Sequence, residues 1–286
     1  MPQQVLVTGA SSVIIQKVCK NLLNNDFQFI GVSRSKNNIA SNIYTDWISA
    51  DLSKQIDLIN FSNFQTIIHA AACTHAFSFE EYKKINIDIT KELVTKAKSA
   101  SIENFIFISS RAAANDGGWY AETKLLAEQI VLQNFPNAII IRPSEIFGGT
   151  KQEGIDALIE KVNNKKFVFY PSGIADKLYP IQIDDASKYI AEIINNNFAG
   201  VYTVNGKEGF TVQHFIQHIA SLFNKKNIFI PIPKFIIQVI CFLQQFFKLK
   251  IGVYPDQLKR LQIPKENVTA PEYVRTIKEF ILEFNS

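Results

Sequence analysis

Two side chains that could share a proton, Tyr120 and Lys124, stand four residues apart in the sequence Tyr-Ala-Glu-Thr-Lys. That spacing places both on one face of a helix, one turn apart. A neighbouring ammonium group stabilises a phenolate, so the phenol of Tyr120 could exchange a proton closer to neutral pH. We therefore predict that Tyr120 and Lys124 form an acid–base pair.

A serine hydroxyl precedes this pair in the chain. Ser110 follows the apolar run 105–108 and so lies at the carboxyl end of a predicted strand. Open α/β sheets bind their ligands at that edge. A Tyr-x-x-x-Lys pattern is common by chance, but its position directly after such a strand makes it informative. The predicted catalytic group is Ser110, Tyr120 and Lys124.

A short loop near the start of the chain could bind a phosphate group. It reads Thr-Gly-Ala-Ser-Ser-Val-Ile over residues 8–14, between a β-branched run and a helical pattern. A turn there points backbone N–H groups at an anion at the N-terminus of the helix. The predicted cofactor contacts in this loop are Gly9, Ser11, Ser12, Val13 and Ile14.

The two further glycines of a dinucleotide-binding loop are missing after Gly9. Ser12 and Ile15 occupy their positions in one spacing frame, and Val13 and Ile15 occupy them in the other. The hydroxyl of Ser12 could still donate to a phosphate. Ile15 is expected to push the helix away from the strand or to require a small neighbour.

Arg34 follows the second predicted strand in the sequence Val-Ser-Arg-Ser. An acidic residue at that point would bind the adenosine ribose hydroxyls of NAD, whereas a basic one pairs with the 2′-phosphate of NADP. Arg34 therefore predicts NADP(H) as the preferred cofactor, with NAD(H) as the alternative.

Short apolar runs alternate with amphipathic segments over the first half of the chain, and together they must position these residues. The predicted strands cover 4–7, 27–32, 65–69, 105–109 and 138–141, and the predicted helices cover 13–22, 80–100 and 120–133. Nearly continuous apolar strands separated by helices indicate a parallel sheet covered on both faces. We predict an α/β fold with a Rossmann-type, doubly wound parallel sheet.

The regular alternation loosens after about Gly148. Helices are predicted at 155–163, 184–195 and 211–223, the last opened by a Thr211 cap, with a short strand at 201–204. We predict a dinucleotide-binding domain over 1–148 and a smaller, mixed substrate-binding region over 149–286. No linker separates the two, so they are expected to be interleaved.

The segment 235–247 is unusually apolar for its position. Thirteen residues are too few to span a bilayer, and glutamines with Lys248 could form a narrow polar stripe on a helix. The preferred interpretation is a buried helix. A subunit contact and a helix lying in the plane of a membrane surface are the alternatives.

Composition excludes several classes of protein. The net charge is +4 and the lysines are scattered along the sequence, so no nucleic-acid partner is predicted. Three widely spaced cysteines and the lack of a signal-peptide pattern favour a cytoplasmic protein with reduced thiols, with the inner face of the membrane as an alternative location. His214 and His218 lack a third ligand nearby, so no metal site is predicted.

The sequence resembles the extended short-chain dehydrogenase/reductases, the family of nucleotide-sugar epimerases, dehydratases and reductases. The matching elements occur in order over about the first four-fifths of the chain. They are Val-Thr-Gly-Ala at 7–10, Asp51-Leu52, His69 with Ala70, Ala71 and Ala72, Asn86 with Thr90, Ser109-Ser110, Tyr120 with Lys124, Arg-Pro-Ser-Glu-Ile-Phe-Gly at 142–148, Ile-Asp-Asp-Ala at 183–186, and Gly-Val-Tyr-Thr-Val at 200–204.

The resemblance implies a role for each matching residue. Tyr120 would be the general acid/base on a sugar hydroxyl or ketone, Ser110 would hydrogen-bond the same oxygen, and Lys124 would also hold the nicotinamide ribose. Further residues implied in cofactor binding are Asp51 at the adenine, with Leu52, Ala70, Ala71, Ala72, Asn86 and Pro143. Residues implied at the substrate are Ser110, Arg111, Ser144 and Glu145.

The resemblance leaves three functions open. The leading one is NADPH-dependent reduction of a 4-keto nucleotide-sugar, a precursor step for polysaccharide or surface glycans. The others are an NAD-dependent nucleotide-sugar epimerase and a non-catalytic dinucleotide-binding structural subunit.

The interval between Ser110 and Tyr120 is shorter than in the family pattern, which affects the prediction of the sugar substrate. Segments at 230–261 are similar to 4-keto-sugar reductases and to an accessory subunit of respiratory complex I. A homodimer is implied as the assembly.

Overall fold

Seven strands form one parallel sheet at the centre of the molecule. The computed structural model describes residues 2–23, 27–35, 42–149, 154–196, 198–246, 256–264 and 268–284. The strands are β1 Gln3–Thr8, β2 Phe27–Ser33, β3 Asp46–Ser49, β4 Thr66–His69, β5 Asn104–Ile108, β6 Ile139–Pro143, β7 Ile146–Phe147, β8 Phe167–Pro171, β9 Ile181–Gln182, β10 Gly200–Val204 and β11 Ile228–Ile232. The order of strands in the central sheet is β3-β2-β1-β4-β5-β6-β10.

Helices cover both faces of this sheet. They are α1 Val13–Leu22, α2 Leu52–Gln55, α3 Phe79–Tyr82, α4 Ile89–Ser99, α5 Trp119–Asn134, α6 Gly154–Asn164, α7 Ile183–Asn196, α8 Val212–Leu222, α9 Lys234–Phe246, α10 Gln257–Arg260 and α11 Ile277–Phe284. Short 3₁₀ turns lie at Ile56–Leu58 and Phe61–Asn63. The predicted Rossmann-type, doubly wound sheet is confirmed.

The core is split by the sheet into two layers because its strands are apolar on both sides. On one face, Val5, Val7 and Ile141 pack with residues of α1 and α7. On the other, Leu6 and Phe107 pack with residues of α4 and α5. Burial on both faces explains why the strands read as continuous apolar runs.

The structure adds one strand to the main sheet that the sequence did not predict. β3, Asp-Trp-Ile-Ser, pairs only with β2 and has no fully buried residue. An edge strand of four residues with polar ends lacks the apolar run by which the other strands were found. The predicted helix over 80–100 is also interrupted, since residues Lys83–Asp88 between α3 and α4 form a π-helical segment.

Chain after residue 148 contributes to the central sheet as well as to a smaller lobe. β10 pairs in parallel with β6 at the sheet edge, and α7 packs along α1. The lobe contains the two-stranded sheets β11-β8 and β7-β9, with a third apolar cluster that includes Phe147 and Phe215. The predicted Thr211 cap of α8 is confirmed, since the side chain of Thr211 accepts a hydrogen bond from the backbone N–H of His214. The boundary at 148 stays a prediction.

The buried interpretation of the segment 235–247 is wrong. It forms α9, but between Lys234 and Leu243, where the side chains are described, Cys241 alone is buried. Phe247 and Lys248 lie outside the described residues. The apolar pattern was helical, but it faces outward instead of into the core. Within the part of the chain that the structure describes, no helix is long and apolar enough to cross a membrane.

Candidate active site

The three predicted catalytic residues meet at the carboxyl edge of the main sheet. Ser110 lies two residues beyond β5, and Tyr120 and Lys124 lie one turn apart at the start of α5. The phenol of Tyr120 is hydrogen-bonded to the hydroxyl of Ser110. Both hydroxyls could therefore contact the same substrate oxygen, which is the arrangement needed to polarise a carbonyl and to protonate it.

Tyr120 lies almost buried, with 9% of its surface exposed. Burial raises the pKa of its phenol above the ordinary value, while the Ser110 hydrogen bond and the charge of Arg260 act in the opposite direction. The sequence suggested that Lys124 would lower this pKa. The structure gives a phenol that stays protonated at neutral pH, and the cation over its ring is Arg260, 4.2 Å from the ring centroid.

Lys124 is held behind the tyrosine at the end of β5. Its ammonium group donates to the carbonyl oxygen of Ile108 at 2.8 Å and lies 4.2 Å from the ring centroid of Phe107. Burial lowers the pKa of Lys124 to about 7, opposed by the charge of Glu128. The side chain can therefore hold or release a proton near neutral pH.

Asn86 ties together three parts of the site from within the π-helical segment. Its side-chain oxygen accepts from the backbone N–H of Cys73 at 2.8 Å. Its amide donates to the carbonyl of Cys73 and to the hydroxyl of Thr123, each at 3.1 Å. The loop after β4 is thereby fixed against α5 one residue before Lys124. A π segment at this point agrees with the frequent occurrence of such segments at functional sites.

The loop after β1 has the shape of an anion-binding turn. Gly9 has a φ of +68°, and a β-carbon there would lie 2.7 Å from the backbone of Ala70 and Ala71, so only glycine fits. Ser12 begins α1 without a side-chain cap. The first-turn N–H groups, including those of Val13 and Ile14, are thus available to a pyrophosphate, which fits a dinucleotide. Ser11 is exposed beside them.

The isoleucine that replaces the last expected glycine does not block this turn. Ile15 points into the core, 1% exposed, in the apolar cluster that also contains Ala186 and Ala191 of α7. The expectation that Ile15 requires small neighbours stays a prediction.

The predicted adenosine contacts lie beside each other past β2 and β3. Arg34 is exposed at the carboxyl end of β2. The carboxylate of Asp51 caps α2 by accepting from the backbone N–H and the hydroxyl of Ser53, which lowers its pKa, with a smaller contribution from Arg34. Leu52 is buried in the core instead of lining the edge. Ala70, Ala71 and Ala72, half-buried, follow β4.

The predicted substrate residues converge on Tyr179, which the sequence did not single out. The guanidinium of Arg111 lies 4.1 Å from the Tyr179 ring centroid. Ser144 donates to the Tyr179 carbonyl at 2.6 Å, and Glu145 accepts from its N–H at 2.9 Å. Pro143, before them, accepts from the backbone N–H of Arg111. These side chains hold the segment around Tyr179 against the sheet edge.

Two functional candidates, Asp256 and Arg260, come from a distant part of the chain. Asp256 accepts from the backbone N–H of Tyr120 at 3.3 Å and from the hydroxyl of Tyr82 at 3.2 Å. Arg260 pairs with Asp256 at 2.8 Å and donates to Tyr82 and to the carbonyl of Thr74. An acid and an arginine four residues apart could be read from the sequence, but not their position over Tyr120.

Among the residues that the structure describes, no group of three or more His, Cys, Asp or Glu side chains could hold a metal ion.

Comparison with known proteins agrees with this geometry. The model of the NAD dependent epimerase/dehydratase family matches residues 5–204. A curated relative from Rattus norvegicus, NADH dehydrogenase (ubiquinone) 1 alpha subcomplex subunit 9, mitochondrial, is 25% identical over 228 residues, covering 77% of this chain and 59% of that protein. The chain spans about half the length of the curated relatives of this kind.

Solved structures share the fold at low identity. UDP-glucuronic acid 4-epimerase from Bacillus cereus, in complex with UDP-glucuronic acid and NAD, is 20% identical with a TM-score of 0.67, covering 81% of this chain and 86% of that chain. A dTDP-4-dehydrorhamnose reductase from Clostridium acetobutylicum is 17% identical with a TM-score of 0.65, covering 81% and 84%. With the family match spanning the sheet and the Ser110, Tyr120 and Lys124 group, the chain belongs to the NAD dependent epimerase/dehydratase family.

Proposed function

We propose that the protein is an NADPH-dependent reductase that converts a keto group at position 4 of a nucleotide-linked sugar into a hydroxyl. The observation that carries this proposal is the hydrogen bond between Tyr120 and Ser110 at the sheet edge, which brings two hydroxyls to one position where a carbonyl oxygen could bind. Burial raises the pKa of the phenol, so Tyr120 can supply the proton that reduction of that carbonyl requires.

In the proposed step the carbonyl carbon gains a hydride and its oxygen gains a proton. NADPH would supply the hydride when bound. Ser110 would donate a hydrogen bond to the carbonyl oxygen, and Tyr120 would give that oxygen its phenolic proton. The Tyr120 phenolate would regain a proton from water. Lys124, with a pKa near 7, would hold positive charge beside the site while the phenolate exists.

Arg34 supports NADPH over NADH. Arg34 is exposed directly after β2, a position at which a basic side chain in this fold can pair with the 2′-phosphate of NADP, and Asp51, the nearest predicted acid, is engaged in capping α2. The structural neighbours in complex with NAD favour the alternative cofactor.

Thermal shifts decide between the two cofactors. NADPH should stabilise the wild type more than NADH does, and Arg34→Asp should reverse the order. Equal shifts in both proteins contradict the assignment to Arg34.

A nucleotide-sugar is proposed as the substrate because the structural neighbours act on or bind such compounds, including a dTDP-4-dehydrorhamnose reductase and an epimerase with bound UDP-glucuronic acid. The substrate side of the cleft would be formed around Tyr179, which is held in place by Arg111, Ser144 and Glu145. A supply of precursors for polysaccharides or surface glycans is the proposed cellular role. The homodimer and the cytoplasmic location stay predictions.

A non-catalytic dinucleotide-binding subunit is the second candidate, favoured by one observation. Asp256 and Arg260 cover Tyr120 and leave 9% of it exposed, so access of a sugar requires this segment to move or Arg260 to face the sugar. The relative from Rattus norvegicus carries the name of a subunit of NADH dehydrogenase.

Turnover by Tyr120→Phe separates the candidates. NADPH oxidation is followed by absorbance with 4-keto forms of UDP-, GDP- and dTDP-sugars. A reductase should lose at least about a hundredfold in turnover in the variant while keeping its thermal shift with NADPH. Interconversion of sugar isomers with no net loss of NADPH would instead indicate an epimerase. Binding of NADPH without turnover by the wild type would favour the structural subunit.

A further inference from the structure

We infer that the smaller lobe binds an anionic lipid surface through the exposed apolar face of α9 and a lysine cluster at the adjoining sheet β11-β8. This inference is independent of the proposed reductase.

α9 presents mainly apolar side chains to solvent, together with Gln238. Positions 235, 239 and 242 share one helix face, with 243 beside them. Their exposed fractions are 64% for Phe235, 52% for Val239, 65% for Phe242 and 43% for Leu243. On the far side of the helix, Cys241 is buried. A helix with four large apolar side chains on its exposed face has a surface suited to burial in another apolar phase.

The sheet β11-β8 exposes a second set of apolar side chains. Its strand β11 ends at Ile232, and α9 begins at Lys234. Phe167 and Phe169 alternate along β8 with Val168 and Tyr170, which are buried in the lobe core. Phe167 pairs in register with Ile228 of β11, which is also exposed. One face of this sheet is therefore packed and the other presents aromatic and aliphatic side chains.

Pairing of the two strands also brings together lysines that are 60 residues apart in sequence. Ile228 donates its N–H to the carbonyl of Lys166, and the side-chain amide of Asn227 donates to the carbonyl of Lys165. Lys165 and Lys166 thus lie beside Lys225 and Lys226, and all four are exposed. The ammonium of Lys166 lies 5.9 Å from the ring centroid of Phe167, so the charge adjoins the apolar set.

The stretch of chain that forms β11 and α9 carries positive charge and no carboxylate. Residues 209–246 contain no aspartate or glutamate, and they contain lysines at 225, 226 and 234. This stretch therefore contributes three positive charges to a protein whose net charge is +4. Lysines bordering exposed aromatic residues match the two layers of an anionic bilayer surface, which are charged headgroups and apolar chains.

A second copy of the chain fits this surface less well. A two-fold dimer through α9 would pair the same patch on both subunits and bring the two lysine clusters towards each other. Residues 209–246 contain no carboxylate that could compensate that repulsion.

Vesicle co-sedimentation of the full chain tests the inference. The protein should bind vesicles of equal parts phosphatidylcholine and phosphatidylglycerol, and release as salt is raised to about 0.5 M. Phosphatidylcholine alone should bind it at least about tenfold more weakly. Equal binding to both lipids, or to neither, overturns the inference.

Variants locate the surface. Phe235→Glu combined with Phe242→Glu should weaken binding by more than about tenfold. Each of Lys165→Gln and Lys226→Gln should weaken it by about fivefold. The matched control is Phe198→Glu, which changes an exposed phenylalanine before β10. If the control weakens binding as much, the assigned surface is wrong.

Light scattering tests whether a second copy of the chain, instead of lipid, occupies this surface. The wild type and the Phe235→Glu, Phe242→Glu variant should have the same molecular mass in solution, and near-ultraviolet circular dichroism should show both folded. A dimer that the variant converts to monomer, together with no binding to phosphatidylglycerol vesicles, would assign the face to a second copy and refute lipid binding.

Discussion

Residue chemistry at the candidate site is set by burial more than by neighbouring charge. Burial raises the pKa of Tyr120 and lowers that of Lys124 to about 7. His69, behind them, is fully buried and its pKa is lowered to about 3. Its ring nitrogens are hydrogen-bonded to the hydroxyls of Thr8 and Thr90 at 2.6 and 2.9 Å. His69 therefore joins the ends of β1 and β4 to α4 as a neutral group.

His69 should make the fold sensitive to acid. Its folded pKa lies below the unfolded value of 6.5, so its contribution is complete above pH 6.5 and is lost as pH falls towards 3. Over that interval the wild type should lose up to about 5 kcal/mol through this group. His69→Gln should be less stable at pH 7 by about 1–3 kcal/mol, since one hydrogen bond is lost, but should lose less stability on acidification.

Urea unfolding at pH 7, 5.5 and 4.5 measures both effects. His214→Gln, at an exposed position of α8, is the control and should leave the pH dependence unchanged. A His69→Gln variant whose stability falls with pH as steeply as that of the wild type would contradict the assignment.

The helix that carries Tyr120 and Lys124 begins at a contact made by a remote part of the chain. α5 starts after Gly118, which has a φ of +89° and no capping side chain. Asp256 supplies the cap instead, by accepting from the N–H of Tyr120. A carboxylate there is favoured by the unpaired N–H groups and by the positive end of the helix dipole. Thus Asp256, the residue before α10, fixes the start of the helix that carries Tyr120 and Lys124.

Asp256→Asn should loosen the start of α5. The variant side chain keeps its size, but it no longer carries the negative charge that pairs with Arg260 and with the positive end of the helix dipole. The expected cost in the free energy of unfolding is about 2–4 kcal/mol. Hydrogen exchange should accelerate at residues 118–122 while the rest of α5 stays protected. Asp116→Asn, two residues before Gly118 and exposed, is the control with no expected change. Unchanged exchange in Asp256→Asn would show that α5 is capped in another way.

The whole molecule is held together by contacts that cross from its C-terminal segment back to the sheet. Arg275 donates to both carboxylate oxygens of Asp185, at the start of α7, and to the side chain of Gln182. Asp185 is buried, so its charge depends on that arginine. α7 packs on α1, which follows the loop at Gly9, so the segment before α11 also supports the edge of the sheet that is proposed to bind the dinucleotide.

Arg275→Gln should destabilise the protein by about 3–5 kcal/mol because it leaves a buried carboxylate without its cation. Glu283 pairs with the same arginine from the exposed side, so Glu283→Gln should cost less than about 1 kcal/mol. Equilibrium unfolding in urea compares the two. Similar losses in both variants would show that the buried pair does not anchor α7.

The sequence by itself determined the sheet and the short-range site. Strands buried on both faces must be apolar throughout and helices must repeat every three to four residues, so the alternation is visible without a structure. The spacing of Tyr120 and Lys124, and Ser110 at a strand end, are local for the same reason. The edge strand β3 and the π-helical segment escaped because they lack such a pattern.

Only the tertiary structure decided what depends on contacts between distant residues. Asp256 and Arg260 meet Tyr120 across more than 130 residues, Tyr179 gathers Arg111, Ser144 and Glu145, and the lysine pairs at 165 and 225 meet through β11-β8. The orientation of α9 belongs here too. A helical apolar pattern defines a face, but whether that face meets a core or solvent depends on what the fold places against it.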